Sequence, residues 1–96
     1  MNIQIEFMGF PTIYDLFPEG PHPYSFEGST LAELVKDLVA GHDPRVGESL
    51  LEGKTKVLDP TIQITINRRF VLREEVSSRK IEEGDQVVFL KLLAGG

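Results

Sequence analysis

The sequence predicts an α+β domain: a mixed four- to five-stranded sheet packed on one main helix, with room for a second, short helix. Three observations carry that expectation. Ile3, Ile5 and Phe7 alternate with polar residues near the start. Leu31, Leu34, Val35, Leu38 and Val39 recur at helical spacing. Ile62, Ile64 and Ile66 alternate again, and a final apolar run spans Val87 to Leu93. Periods of two and of about 3.6 residues separate half-buried strands from an amphipathic helix.

Taken in order, the first strand presents Ile3, Ile5 and Phe7 on one face and Asn2, Gln4 and Glu6 on the other. Residues 9 to 23 then hold Gly9, Pro11, Pro18, Gly20, Pro21 and Pro23, a density of breakers that predicts an irregular connection. Tyr24 and Phe26, alternating with Ser25 and Glu27 before Gly28, predict a short second strand antiparallel to the first. Thr30 and Glu33 fit a capping box at the start of the main helix, and Gly41 is placed to end it in a left-handed cap. Asp43-Pro44 opens the second helix, through Leu50 or Leu51, although Gly47 weakens it. After the Ile62–Ile66 strand, Asn67-Arg68-Arg69 reads as a turn, Phe70-Val71 as a brief return strand, and Glu83-Gly84-Asp85 as the turn into the last strand. Two strands, a helix and then two or three strands describe the β-grasp.

Length and composition set the limits. The 96 residues suffice for one hydrophobic core, so residues 1–96 are expected to form one domain, with 92–96 as a flexible tail. A net charge of -5 disfavours nucleic acid and anionic membranes as partners. The start carries neither a basic leader nor a continuous apolar run, and no stretch is long enough to span a bilayer, so a cytoplasmic location and a free monomer are expected. The chain contains no cysteine, which removes disulfides, thiolate metal sites and a thiol nucleophile. No phosphate-cradling loop, Ser-His-Asp spacing or carboxylate pair points to intrinsic catalysis, and no bound cofactor or metal is expected.

The chemically informative feature is the tail, Leu92-Leu93-Ala94-Gly95-Gly96. At an average glycine usage of roughly 7%, two glycines at the last two positions arise by chance in about 0.5% of chains. Lacking Cβ, such residues enter a narrow channel and present a carboxylate without steric cost. A carboxylate is a poor electrophile, so it reacts only after conversion to an activated acyl species. That step requires ATP and a partner enzyme.

In the C-terminal third, Ile66-Asn67-Arg68-Arg69-Phe70-Val71, Glu83-Gly84-Asp85-Gln86-Val87 and Leu93-Ala94-Gly95-Gly96 occur in an order that resembles the ThiS/MoaD family of ubiquitin-like sulfur carriers. Arg73-Glu74-Glu75 is closer to the thiamine branch, although Leu72 stands where that branch often has proline. The length of the 9–23 connection and of the segment 43–59 is closer to the molybdopterin branch, so the branch stays open. The resemblance implies a protein cosubstrate rather than an enzyme. An adenylating enzyme would activate the Gly96 carboxylate, with Gly95 as spacer. A sulfur donor would convert it to a thiocarboxylate, and a thiazole synthase or molybdopterin synthase large subunit would take the sulfur. A protein modifier joined through Gly96 to lysines, or a passive β-grasp binding module, remains as an alternative.

A carrier must also be held while its tail is threaded. By register with the family's partner-facing surface, Phe70, Leu90 and Leu92 are assigned to a docking patch continued by Leu93 and Ala94, with Val87 and Phe89 in the core. Phe70 also suits the core of a short return strand. His22 and His42 fall outside any metal-ligand spacing, and Arg68-Arg69 reads as a solvent-facing turn. The clusters Glu74-Glu75 and Glu82-Glu83-Asp85 read either as solvated turns or as an acidic surface for a basic partner.

Overall fold

The alternation of Ile3, Ile5 and Phe7 becomes strand β1 (Asn2–Met8), with those three side chains buried against the helical layer. The computed structural model describes residues 1–53 and 57–91. Strand β2 (His22–Ser25) returns antiparallel to β1, with Ile3 opposite Tyr24 and Gln4 opposite Pro23. This strand starts earlier than its hydrophobic alternation indicates. Pro23 lacks an N–H, but β2 is an edge strand, where a missing ladder donor is tolerated. Phe26 follows the strand and is buried beneath it.

The 9–23 connection is more than a link. A single 3-10 turn forms at Pro11–Ile13, and Phe10, Ile13 and Phe17 all enter the core. Phe7 stacks on Phe89 at 5.0 Å between ring centroids and meets Phe10 edge-on at 5.6 Å and Phe17 at 4.9 Å. The guanidinium of Arg45 ties this segment to the helical layer by a forked pair to Asp15 at 2.9 and 3.0 Å and by a bond to the Thr12 carbonyl. The Arg45 bond holds the Asp15 carboxyl below the usual carboxylate range.

Helix α1 (Leu31–Ala40) buries Leu31, Leu34, Val35 and Leu38. Its capping box is complete: the Glu33 N–H donates to Thr30 Oγ1 at 3.3 Å, and the Glu33 carboxylate accepts from the Thr30 N–H at 3.1 Å. Ser29 adds two more donors, and these bonds, led by the Ser29 hydroxyl, keep the Glu33 carboxyl acidic. The helix stops at Gly41, but not in the expected left-handed cap. Gly41 has φ -93° and ψ 1°, and its N–H bonds the Asp37 carbonyl before the chain swings into the next helix. Helix α2 (Pro44–Leu50) begins as expected, with Asp43 accepting from the Arg45 N–H and Pro44 in the first turn.

Strand β3 (Ile62–Ile66) pairs antiparallel with β4 (Arg69–Val71) and with β5 (Gln86–Lys91). A second 3-10 turn, Arg73–Glu75, unmarked by any periodicity or cap signal, carries the chain from β4 toward β5. Strand β5 lies parallel to β1, so the sheet order is β2-β1-β5-β3-β4 with β5 at its centre. The inner faces of β1, β3 and β5 meet α1, α2 and the 9–23 connection in one core cluster.

Candidate functional site

The site builds up from the strand that leads to the tail. Val87 and Phe89 are fully buried on the inner face of β5, which leaves Val88 and Leu90 on the outer face. Buried side chains on one face and neighbours on both edges, β1 on one side and β3 on the other, hold this strand at the centre of the sheet. It ends at Lys91, whose Nζ lies 3.6 Å from the Asp59 carboxylate. Leu92, Leu93, Ala94, Gly95 and Gly96, the expected arm and reactive end, lie outside the described residues.

Two turns lock the start of β5. Asn67 and Arg68 adopt positive φ of 52° and 71°, the mirror-type two-residue turn that suits the twist of a hairpin. The Asn67 side chain then reaches across the sheet. Its Nδ2 donates to Asp85 Oδ1 at 2.8 Å, while its Oδ1 accepts from the Gln86 N–H at 2.9 Å. The second oxygen of the buried Asp85 accepts from the Glu82 N–H at 2.8 Å. The two turns noted separately in the sequence are therefore one hydrogen-bonded clamp. That link was missed because 18 residues separate its partners.

The outer face of the sheet carries an apolar patch. Met8 lies beside Leu90, and one row further Val88 lies beside Thr65, which faces Phe70. Phe70 is 67% exposed, Met8 is 46% exposed, and Val88 and Leu90 are half-buried. Phe70 is thus a surface residue and not part of the core. It also borders a shallow cleft along β4 lined by Leu58, Ile62, Leu72 and Arg73. Met8 belongs to the same face; the Asn2–Met8 period, extended by one step, could have identified it.

The remaining candidates have local roles. His22 sits at the start of β2 with Nε2 2.6 Å from the Pro18 carbonyl, and His42 packs against the Phe17 ring near the Tyr24 hydroxyl. That hydroxyl donates to Asp37, and burial together with this carboxylate raises the phenol pKa. Within the acidic clusters Glu83 accepts the Asn2 N–H, Glu75 accepts the Leu72 N–H, and Asp85 serves the clamp. Among the described residues no group of three His, Cys, Asp or Glu side chains could hold a metal ion, and no helix is long and apolar enough to cross a membrane.

A five-stranded mixed sheet in this order, gripping α1, defines a β-grasp protein of the ubiquitin-like kind. The chain belongs to the ThiS family, whose model matches residues 24–96. It is similar in structure to SAMP1 from Haloferax volcanii, with a TM-score of 0.75 at 14% identity over 100% of both chains. Urm1 from Trypanosoma brucei superposes with a TM-score of 0.71 at 24% identity, over 99% of this chain and 95% of that one. CysO from Mycobacterium tuberculosis, an antigen, gives 0.70 at 20% identity over 95% and 99%. No curated protein sequence matches the chain. Small ubiquitin-like proteins of this family are typically substrates of enzymes and work with activating enzymes.

Proposed function

We propose that the chain is a sulfur carrier whose Gly96 carboxylate is activated by a separate adenylating enzyme and converted to a thiocarboxylate. A carboxylate oxygen attacks the α-phosphorus of ATP, and pyrophosphate leaves. Sulfide-level sulfur from a donor then attacks the acyl carbon and AMP leaves, which gives the thiocarboxylate. On a synthase the thiocarboxylate sulfur bonds to a cofactor precursor of the thiamine thiazole or molybdopterin/tungstopterin type, and water cleaves the acyl–sulfur bond to restore the carboxylate. Phe70, Met8, Val88 and Leu90 form the face on which partners dock, while Leu92, Leu93, Ala94 and Gly95 form the arm that enters the partner.

The observation that carries this reading is the family match, which runs through the clamp, β5 and the diglycine to residue 96. The clamp and the central strand supply a rigid base, and the tail supplies the acyl group. No side-chain nucleophile is required, in keeping with a chain without cysteine.

The second reading is a protein modifier joined through Gly96 to lysines. It is favoured by the likeness to the small archaeal modifier protein 1 of Haloferax volcanii. Both readings share the activation step, so the test has two stages. Deleting Gly96 should abolish ATP-dependent adenylation by the cognate enzyme, and full activity of the truncated chain would refute both. Intact mass of protein from native cells then separates them. Replacement of one terminal oxygen by sulfur supports the carrier, whereas conjugates that survive denaturing gels support the modifier.

A further inference from the structure

We propose that Gly9 is a positioning residue for the arm: its missing side chain sets where the backbone of Lys91 lies and so where the tail is aimed. The proposal rests on the reading of the tail as an activated acyl carrier. It concerns a residue far from the tail in sequence and outside the matched region 24–96.

Strands β1 and β5 run parallel with Met8 beside Leu90, so the next residues along, Gly9 and Lys91, meet where both strands end. Gly9 turns away with φ +85°, and its N–H donates to the Tyr14 hydroxyl at 3.3 Å. A Cβ built on Gly9 would lie 2.7 Å from the Lys91 carbonyl oxygen and 3.4 Å from its Cβ. The nearer atom is backbone, so it cannot swing aside as a side chain would. Either the Gly9 turn or the Lys91 peptide must move.

Gly20 supplies the contrast. Its φ is +100°, yet nothing lies within 4 Å of a Cβ placed there. Both positions ask for glycine on backbone grounds, but Gly9 alone of the two also asks for it on grounds of space. What that space accommodates is the last peptide before the arm. Reacting groups must meet within a narrow range of position, and a misplacement of about 1 Å can cost ~100-fold in rate. With the arm drawn out in a partner's channel, a shift of the Lys91 carbonyl would move the point from which the five residues to the Gly96 carboxyl start.

The test compares Gly9→Ala and Gly20→Ala with the wild type, using ATP-dependent pyrophosphate exchange by the cognate adenylating enzyme. Gly9→Ala should lower kcat by ~10-fold or more, with any change in KM smaller because no docking side chain is replaced, while Gly20→Ala should leave kcat at the wild-type value. The amide signals of Lys91 and the arm should shift in Gly9→Ala and not in Gly20→Ala. Gly9→Asn serves as a second variant, since asparagine tolerates a left-handed backbone while keeping the Cβ. Equal kcat for the Gly9 and Gly20 variants would overturn the proposal. So would failure of both Gly9 variants to fold while Gly20→Ala folds, because the glycine would then serve the fold. Absence of exchange with the wild type refutes the activation reading instead, and the amide shifts still decide whether Gly9 places Lys91.

Discussion

Replacing Asn67 by alanine removes three things at once. The Asp85 carboxylate loses the Nδ2 donor at 2.8 Å, the Gln86 N–H loses its acceptor at 2.9 Å, and an alanine must hold φ 52°. A hydrogen bond to a charged group contributes about 1.5–3 kcal/mol, and a neutral one at an exposed N–H about 0.5–1 kcal/mol. Left-handed backbone costs a non-glycine residue about 1–2 kcal/mol, less for asparagine than for alanine. The expected loss is therefore roughly 3–5 kcal/mol, a large part of the stability of a domain this size. Urea unfolding followed by circular dichroism should show a lower midpoint with an unchanged slope. Asn67→Gly, which relieves the backbone cost, should lose less. Combining Asn67→Ala with Asp85→Ala should reveal a coupling of about 1–2 kcal/mol. A loss under about 1 kcal/mol, or independent effects of the two changes, would show that the clamp does not hold β5.

Two further outcomes follow from the same geometry. Leu90→Glu puts a charge in the centre of the outer-face patch, so affinity for the activating partner should fall at least ~10-fold, or about 1.4 kcal/mol. Calorimetry should still show a cooperative fold, and a collapsed fold would mean that Leu90 belongs to the core. Stability should also decline in acid. The carboxyls of Glu33, Asp15, Asp43 and Asp59 are all lowered by hydrogen bonds in the folded chain. The folded state thus binds fewer protons than the unfolded one across the acid range. Their contribution is complete above the unfolded carboxylate values near pH 4 and is lost as pH falls through the lowered values. Urea midpoints measured from pH 6 downward should decline below that point, and flat midpoints would contradict the bonding described.

How much of this was legible depends on the range of the interactions involved. The capping box, Asp43-Pro44 and the alternating isoleucines are local signals, and they appear where their spacing placed them. The 9–23 connection was not legible, because its prolines mask the period of Phe10, Ile13 and Phe17, which are buried by tertiary contact rather than by a regular element. Gly41 ended its helix without a left-handed angle because α2 starts three residues later and the chain bends there through another route. The faces of β5 were readable from alternation, but its parallel pairing with β1 depends on residues more than eighty positions away. The clamp and the Gly9 contact are of the same long-range kind.

The outer face also bears on the kind of partnership the chain can form. Its apolar residues are not surplus core, since the inner face is already filled by α1, α2 and the 9–23 connection. Nor are they continuous. Glu6 lies beside Val88, and Gln63 beside Leu90, so polar side chains interrupt each row. A permanent interface tends to be larger and more uniformly apolar, resembling a core cut in half. A small patch broken by polar neighbours suits association that is specific and reversible. An acyl carrier has that requirement: it must be released by the enzyme that activates it before the next partner can take the cargo. On the carrier reading proposed above, the central strand and the modest patch beside it would belong to one functional arrangement, in which affinity is limited so that the tail can be passed on.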